Sequence, residues 1–192
     1  MIRGLYNWTM SLAQGPRALW ALAAISFAES SVFPIPPDIL LIPLVIAAPH
    51  RAWLIASVCL ISSVLGGLFG YFIGAVLFDS IGNQILGFYG MEAYFDEFAA
   101  KYNEYGAWAV LIAGVTPFPF KVITIMSGAT GLNLPVFIIA SIVARGLRFF
   151  IVAALLWKFG APIREFIEKR LGLMFTIFVI LLAGGFLVLR YL

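Results

Sequence analysis

Charged residues are scarce in this chain, and cysteine and histidine are nearly absent. Only 11% of the 192 residues are charged, against about 25% in an ordinary soluble domain. Hydrophobic residues make up 63% of the chain, and several apolar stretches approach the ~20 residues that cross a bilayer. The composition therefore excludes a soluble globular domain and predicts an integral membrane protein that crosses the bilayer more than once.

The single cysteine, Cys59, excludes an intrachain disulfide, and its place inside an apolar run indicates a packing role. The only histidine, His50, lies in a short polar break and is expected at the membrane surface. The first twenty residues lack the apolar core and cleavage site of a signal peptide, so we expect them to stay on the protein. The net charge of +3 comes from short basic loops and does not predict a nucleic-acid partner.

Motifs of enzyme chemistry are missing as well. The chain has no HExxH, no GxSxG and no aspartate cluster spaced to hold magnesium. With one histidine, histidine-based phosphatase chemistry has little to use. We therefore predict that the protein is not an enzyme and that it needs no cofactor or metal.

Two apolar regions are each interrupted by prolines. FPIPPD (33–38) separates 18–32 from 39–48, and TPFPFK (116–121) separates 107–115 from 122–132. The prolines involved are Pro34, Pro36, Pro37, Pro117 and Pro119. Proline removes a backbone donor and disfavours helix in the residue before it, so these motifs break the helices. Unpaired backbone survives in a membrane only against protein or water, so both breaks predict a polar cavity inside the bilayer.

The remaining segments include three long apolar stretches, at 52–78, 135–157 and 171–190, which predict full spans. The linker 79–106 is the most polar part of the chain. Its apolar residues recur at helical spacing and predict an amphipathic helix on the membrane surface: Met91, Tyr94, Phe95, Phe98 and Tyr102.

The two interrupted regions resemble one another. A shift of 83 residues places Pro34 on Pro117, Pro36 on Pro119 and Asp38 on Lys121. Internal repeats, often inverted, are typical of transporters in which broken helices meet at the site. We predict one all-α membrane domain (1–192) with two re-entrant helical hairpins, 18–48 and 107–132, and about three full spans. Its parts are a first repeat (18–78), the linker, a second repeat (107–157) and a C-terminal elbow and helix (158–192).

Ionisable residues lie inside these apolar regions at five positions: Glu29, Asp38, Lys121, Arg145 and Arg148. Arg145 and Arg148 are three residues apart near the middle of a span, where each arginine costs about 2.5–3.5 kcal/mol on insertion scales. One interpretation is an ion-pair network that serves assembly alone. The other is an anion site in which the arginines and Lys121 bind phosphate, while Glu29 or Asp38 balances charge or carries a proton.

Three glycines, Gly66, Gly70 and Gly74, form a GxxxGxxxG ridge. Such a ridge indicates close helix packing, either inside the protomer or in a homodimer. The distribution of basic residues places the N-terminus in the cytoplasm. In the hairpin topology seven basic residues share the side of the N-terminus: Arg3, Arg17, Arg51, Lys158, Arg164, Lys169 and Arg170. Two lie on the other side, Lys101 and Arg190. If each broken segment crossed fully, Arg51 and Lys101 would exchange sides and the bias would be unchanged.

Four stretches resemble the DedA family of membrane proteins, also called the VTT or SNARE-associated domain family. They are FAESSVFPIPPD (27–38), GGLFGYFIG (66–74), TPFPFKVITIMSGATGLNLPVF (116–137) and ARGLRFF (144–150). The chain looks closest to the small bacterial branch labelled YqaA. The resemblance implies two facing re-entrant helices and movement of lipids between leaflets. It implies phospholipid scrambling in eukaryotes, and return of undecaprenyl phosphate or phosphatidylethanolamine across the inner membrane in bacteria.

Carried over by position, Glu29 and Asp38 match the family's acidic pair, and Arg145 and Arg148 fall near its membrane arginines. The better-known bacterial branch has an arginine-rich motif at the second break, where this chain has Thr116 and Lys121. The sequence thus predicts a bacterial plasma-membrane transporter or scramblase of lipids with anionic phosphate headgroups, with proton coupling as implied by the resemblance. A proton- or cation-coupled carrier of small solutes is the alternative, and a purely structural membrane protein is a third.

Overall fold

The computed structural model describes residues 17–33, 36–90, 92–116, 118–160 and 162. The described residues form helices joined by turns and contain no strand. The α helices are α1 (Ala18–Ser31), α2 (Asp38–Ala47), α3 (Ala52–Leu77), α4 (Asn83–Tyr89), α5 (Glu92–Val115), α6 (Phe120–Ala129) and α7 (Leu134–Gly160). A 3₁₀ turn, Pro49–Arg51, leads into α3, and a π-helical turn, Phe78–Gly82, leads out of it. The predicted all-α class is therefore confirmed for the described part.

Two helices are long and apolar enough to cross a membrane. They are Pro49–Leu77 with 29 residues and Leu134–Gly160 with 27, in agreement with the predicted spans 52–78 and 135–157. Large apolar side chains remain exposed along both, among them Ile61, Leu65, Phe72, Ile139, Leu147 and Ile151. Such faces are costly in water and suit a hydrocarbon environment. The predicted third span, 171–190, lies outside the described residues.

The two spans pack side by side in opposite directions. Trp53 at the start of α3 stacks on Phe150, with ring centroids 6.0 Å apart, and lies 6.2 Å from Trp157 near the end of α7. One apolar cluster joins these ends to α1 and α2 and includes Cys59. A second cluster around Phe120 and Phe137 joins α7 to α5 and α6. The core is thus divided between the two interrupted regions.

The glycine ridge of α3 lies inside the protomer, against the two interrupted regions. A Cβ at Gly66 would overlap the carbonyl oxygen of Phe27 in α1, and one at Gly74 would overlap that of Ile125 in α6. Gly128 meets the Tyr71 carbonyl of α3 in the same way. Small residues allow helices to approach backbone to backbone, so α1 and α6 both pack tightly on α3. A homodimer through this ridge stays a prediction. Because the three glycines are buried inside the protomer, such a dimer would have to use neighbouring exposed residues of α3.

Both proline motifs coincide with ends of helices. Residue Ser31 ends α1 and Asp38 begins α2, while Val115 ends α5 and Phe120 begins α6. Pro37 and Pro119 stand directly before the new helices, where a missing N–H removes no helical hydrogen bond. Among the other predicted helix breakers, Pro36 lies in the first break, and Pro34 and Pro117 lie outside the described residues. Re-entrance and inverted symmetry remain predictions.

The polar linker differs from the expected form. The sequence placed an amphipathic helix and the apolar piece 107–115 in separate segments, but α5 is continuous from Glu92 to Val115. Its polar and apolar halves share one helix because the only helix-weakening residue between them is Gly106, which is buried against Leu132. Phe95 stacks on Phe78 with centroids 4.2 Å apart. Tyr94 and Phe98 are exposed, and Met91 lies outside the described residues.

Candidate functional site

Arg145, in the middle of α7, forms an ion pair with Glu29 near the end of α1. Arg145 Nη2 lies 2.5 Å from Glu29 Oε2, and the two side chains are 1% and 12% exposed. Two charges that are so far removed from water require each other, because breaking such a pair leaves an uncompensated buried charge. The pair therefore fixes the long helix α7 to the first interrupted region.

Two serines close a hydrogen-bonded ring around this pair. Arg145 Nε donates to Ser63 Oγ at 2.6 Å, Ser63 and Ser30 hydroxyls lie 2.7 Å apart, and Ser30 donates to Glu29 Oε2 at 3.1 Å. Since Ser30 uses its proton on the carboxylate, Ser63 must donate to Ser30. Both arms of the ring therefore run from Arg145 as donor to Glu29 Oε2 as acceptor, one directly and one through Ser63 and Ser30. The ring joins α1, α3 and α7. We call these four residues the Glu29–Arg145 ring.

Aromatic rings cover the remaining surface of the Arg145 guanidinium. Its Cζ lies 4.8 Å from the centroid of Phe120 and 4.7 Å from that of Phe149. Both rings are buried, and their π faces attract the cation most strongly when water is excluded. With Nε and Nη2 bonded and two rings against its guanidinium, Arg145 is held as a buried charge.

Arg148, one turn further along α7, makes a second ion pair that bridges two helix ends. Its Nη2 lies 2.5 Å from Asp38 Oδ2, in the first turn of α2, and its Nη1 donates to the Thr116 carbonyl just after α5 at 2.7 Å. Arg148 and Asp38 are 18% and 23% exposed. Asp38 Oδ1 is buried and has no hydrogen-bond partner among the described residues. The Asp38–Arg148 pair is therefore more exposed to solvent than the Glu29–Arg145 pair, and one of its carboxylate oxygens lacks a hydrogen bond.

Lys121, at the start of α6, is the third cation. Its Nζ donates to the backbone oxygen of Val32 at 3.4 Å, just beyond the end of α1. Thr124, one turn later, bonds the Ser30 carbonyl at 3.0 Å and also lies 2.9 Å from the Lys121 carbonyl. No carboxylate of the described residues pairs with Lys121, since their two ion pairs use the arginines. The site thus holds two neutral pairs and one uncompensated positive charge.

Three of the five predicted ionisable residues, Glu29, Asp38 and Lys121, lie near the helix ends where the interrupted regions meet. The other two, Arg145 and Arg148, reach these ends from the middle of α7. The grouping into Glu29–Arg145 and Asp38–Arg148 was not predicted, because five charges alone leave the partners open. The sequence analysis also missed five neutral participants: Ser30, Ser63, Thr124, Phe120 and Phe149. The spacing of Ser26 and Ser30 could have indicated the serines, because residues four apart share one face of a helix. In the structure this face packs on α3, where Ser26 donates to the Cys59 carbonyl at 2.8 Å.

A second polar cluster joins α5 to the end of α6, away from the charges. Tyr102 and Ser127 hydroxyls lie 2.9 Å apart, and Asn103 Nδ2 donates to the Thr130 carbonyl at 2.7 Å. Tyr71 of α3 donates to the Leu132 carbonyl at 2.6 Å. These bonds hold the C-terminal end of α6 against α3 and α5. The N-terminal end of α6, with Lys121, is held by the contacts described above.

Apolar helices with lipid-compatible faces and ion pairs at interrupted helices define an all-helical membrane protein. The VTT domain model matches residues 35–158, and the chain belongs to this family, the DedA family. The match covers both ion-pairing arginines, Asp38 and Lys121, whereas Glu29 lies just before it.

Two relatives match most of this chain. An uncharacterized protein of Haemophilus influenzae is 36% identical over 168 residues, which cover 85% of this chain and 87% of that protein. An uncharacterized protein of Histophilus somni is 34% identical over 168 residues, with the same coverage. No solved structure matches the chain.

Proposed function

We propose that this protein is a membrane lipid transporter or scramblase that moves a phosphate-bearing lipid between leaflets. The observation that carries the proposal is the uncompensated charge of Lys121 beside two ion pairs at interrupted helices. A net positive charge in a low-dielectric setting attracts an anion, and an anionic headgroup would bring its chains along in the surrounding bilayer. The lipid classes considered are a polyprenyl phosphate and a phospholipid.

The accessible cations contact the phosphate first in this proposal. Lys121 has donors to spare, and the partly exposed Arg148 needs only a change of partner to present a guanidinium edge. Arg145 contributes its charge without contacting the phosphate, since it is buried and its Nε and Nη2 are bonded within the Glu29–Arg145 ring. Asp38 is the better placed of the two carboxylates to balance charge or carry a proton, because its Oδ1 is unpartnered.

The proposed topology keeps the two hairpins re-entrant. The apolar helices α1, α2 and α6 have 14, 10 and 10 residues, and at 1.5 Å per residue each is shorter than a ~30 Å hydrocarbon core. The basic residues favour a cytoplasmic N-terminus. Because the relatives come from bacteria, we assign the protein to the bacterial inner membrane as a multi-pass protein.

Leaflet exchange in proteoliposomes tests the function. Fluorescent phospholipids and a polyprenyl phosphate are followed with wild type, Arg148→Ala and Lys121→Gln, and with Lys101→Gln on the exposed face of α5 as the matched control. We expect wild type and the control to exchange at least one lipid. The site variants should be slower by roughly tenfold to a hundredfold, because a hydrogen bond to a charged group contributes about 1.5–3 kcal/mol. Exchange that is unchanged in both folded site variants would contradict the assigned site.

The runner-up is a proton- or cation-coupled carrier of small solutes. The buried, unpartnered Asp38 Oδ1 favours it, because such an oxygen can accept a proton or a cationic group. In that case no lipid would exchange at any pH or proton gradient, and a water-soluble substrate would compete for the site. Asp38→Asn would then abolish uptake of that substrate by proteoliposomes.

A further inference from the structure

The end of α1 and the beginning of α6 are tied by two side-chain hydrogen bonds. Lys121 donates to the Val32 carbonyl, and Thr124 donates to the Ser30 carbonyl. Both acceptors are carbonyls at a helix C-terminus, which lack partners within their own helix. We refer to these two bonds as the latch, since they join the first interrupted region to the second.

The Lys121 bond is the replaceable half of the latch. At 3.4 Å it is long for a hydrogen bond from nitrogen to oxygen, and its acceptor is a neutral carbonyl. A phosphate oxygen offers a charged acceptor at shorter distance, and charge-assisted bonds are about twice as strong as neutral ones. A phosphate that reaches Lys121 therefore competes successfully with Val32.

The Thr124 bond can be given up without loss of a hydrogen bond. Its hydroxyl has one proton and two acceptors within reach, the Ser30 carbonyl at 3.0 Å and the Lys121 carbonyl of its own helix at 2.9 Å. A threonine in a helix commonly bonds a carbonyl three or four residues earlier. When the helix ends separate, Thr124 keeps its proton bonded within α6.

The contact point lies over Gly70 of α3. A Cβ at this position would overlap Thr124 Oγ1 and would lie 3.1 Å from the Ser30 oxygen. On one side Gly66 packs on Phe27, and on the other Gly74 packs on Ile125. These flanking backbone contacts anchor α1 and α6, so separation is confined to the residues at the breaks.

Arg148 keeps the other two helix ends together. It bonds Asp38 of α2 and the Thr116 carbonyl beyond α5, both at shorter distances than the Lys121 bond. The interrupted regions are thus joined strongly where α2 begins and α5 ends, and weakly where α1 ends and α6 begins. Opening would begin at the weak pair.

We propose that an anionic phosphate group opens the latch by taking Lys121 from the Val32 carbonyl, so that phosphate binding and separation of the two helix ends are one event. This inference rests on the proposed function for the source of the phosphate, a lipid headgroup. It assigns Lys121 as the residue that couples headgroup binding to movement, and Thr124 as the residue that permits it.

Spin labels across the latch test the proposal. Cys59→Ala removes the only cysteine, and Phe33→Cys and Val122→Cys introduce label positions that are 59% and 41% exposed. Dipolar broadening is measured in vesicles of digalactosyl diacylglycerol, which has no phosphate, then with added phosphatidic acid, and separately with inorganic phosphate. We expect phosphatidic acid to shift the closed-to-open ratio about fivefold toward open, as expected when a charged acceptor replaces a neutral one.

Two variants and one control complete the design. Lys121→Met should give labels that are already apart and that do not respond to phosphatidic acid, whereas Lys158→Met, at the far end of α7, should respond like wild type. Gly70→Ala should separate the labels while Lys121 is retained, which keeps the test decisive if Lys121→Met folds poorly.

Leaflet exchange is measured on the same samples. Lipid exchange with no change in broadening would overturn the latch and leave the proposed function standing. Neither exchange nor a response to either phosphate source would overturn both. Opening by inorganic phosphate but not by phosphatidic acid would support the latch and overturn the lipid headgroup as its natural ligand.

Discussion

Arg145 and Glu29 are 116 positions apart in the chain, yet Nη2 of the arginine lies 2.5 Å from Oε2 of the glutamate. The pair connects the second long span to the first interrupted region, and it lies where neither charge has ready access to water. Such a pair seldom improves stability over well-packed apolar residues, but it becomes a large liability when one partner is removed. This asymmetry separates structural from transport roles experimentally.

Arg145→Met should lower the free energy of unfolding by about 3–5 kcal/mol, because the largely buried Glu29 loses its counter-charge. The double variant Glu29→Leu/Arg145→Met should recover most of this loss while lipid exchange stays impaired. Thermal unfolding in detergent, followed by size exclusion, measures the stability. A double variant as unstable as the single one would show that the ion pair itself stabilises the fold.

Ser63→Ala should destabilise the protein by about 1–3 kcal/mol, because the buried Arg145 Nε loses its acceptor and the Ser30 oxygen loses its donor. Both Arg145 Nε and the Ser30 hydroxyl bond Ser63 in the Glu29–Arg145 ring. Ser57→Ala is the matched control on the same helix, because the hydroxyl of the half-buried Ser57 makes a solvent-accessible bond to the Trp53 carbonyl of its own turn. Equal melting temperatures for the two variants would contradict the ring.

Gly74→Ala should destabilise by about 1–3 kcal/mol, since the added methyl group overlaps the Ile125 backbone and forces α3 and α6 apart. Gly146→Ala in α7 is the control. Its Cβ would lie 3.8 Å from the Leu60 side chain, an ordinary contact, and helix propensity alone favours alanine by about 0.5–1 kcal/mol. The melting temperatures should therefore move in opposite directions. A Gly74→Ala variant as stable as wild type would rule out the close crossing.

Topology is decided by labelling two positions that basic-residue bias leaves undecided. In a Cys59→Ala background, Arg51→Cys and Lys101→Cys are treated with a membrane-impermeant maleimide in intact cells and in inverted vesicles. Re-entrant hairpins predict that position 101 is labelled from outside and position 51 from the cytoplasm. The opposite result would establish that each interrupted region crosses the bilayer completely.

Sequence reasoning located the helices and their interruptions well, because both depend on local properties. The hydropathy of 52–78 and 135–157 and the prolines near 36 and 119 act through neighbouring residues only. The boundary near 106 was misjudged, since a change from amphipathic to apolar composition is not itself a reason for a helix to end. Within α5 nothing removes a backbone hydrogen bond until the proline motif.

The site could be anticipated by residue type but not by partner. Five ionisable residues in apolar sequence need partners of opposite charge. Whether Arg145 pairs with Glu29 or with Asp38 depends on how α1 and α2 pack on α3. Ser63 illustrates the limit most clearly. It is one of several serines in an apolar helix, and only the crossing of α1 at Gly66 brings Ser30 within 2.7 Å of it.

The sandwich of Arg145 between Phe120 and Phe149 also bears on the membrane potential. Moving one elementary charge through the field is worth about 2.3 kcal/mol per 100 mV, but only a charge that moves does electrical work. A guanidinium that is held in place by two rings, an ion pair and a hydrogen bond to Ser63 contributes no gating charge. Any voltage dependence of this protein would therefore arise from Lys121, from Arg148, from protonation of a carboxylate or, in the proposed function, from the charge of the transported lipid.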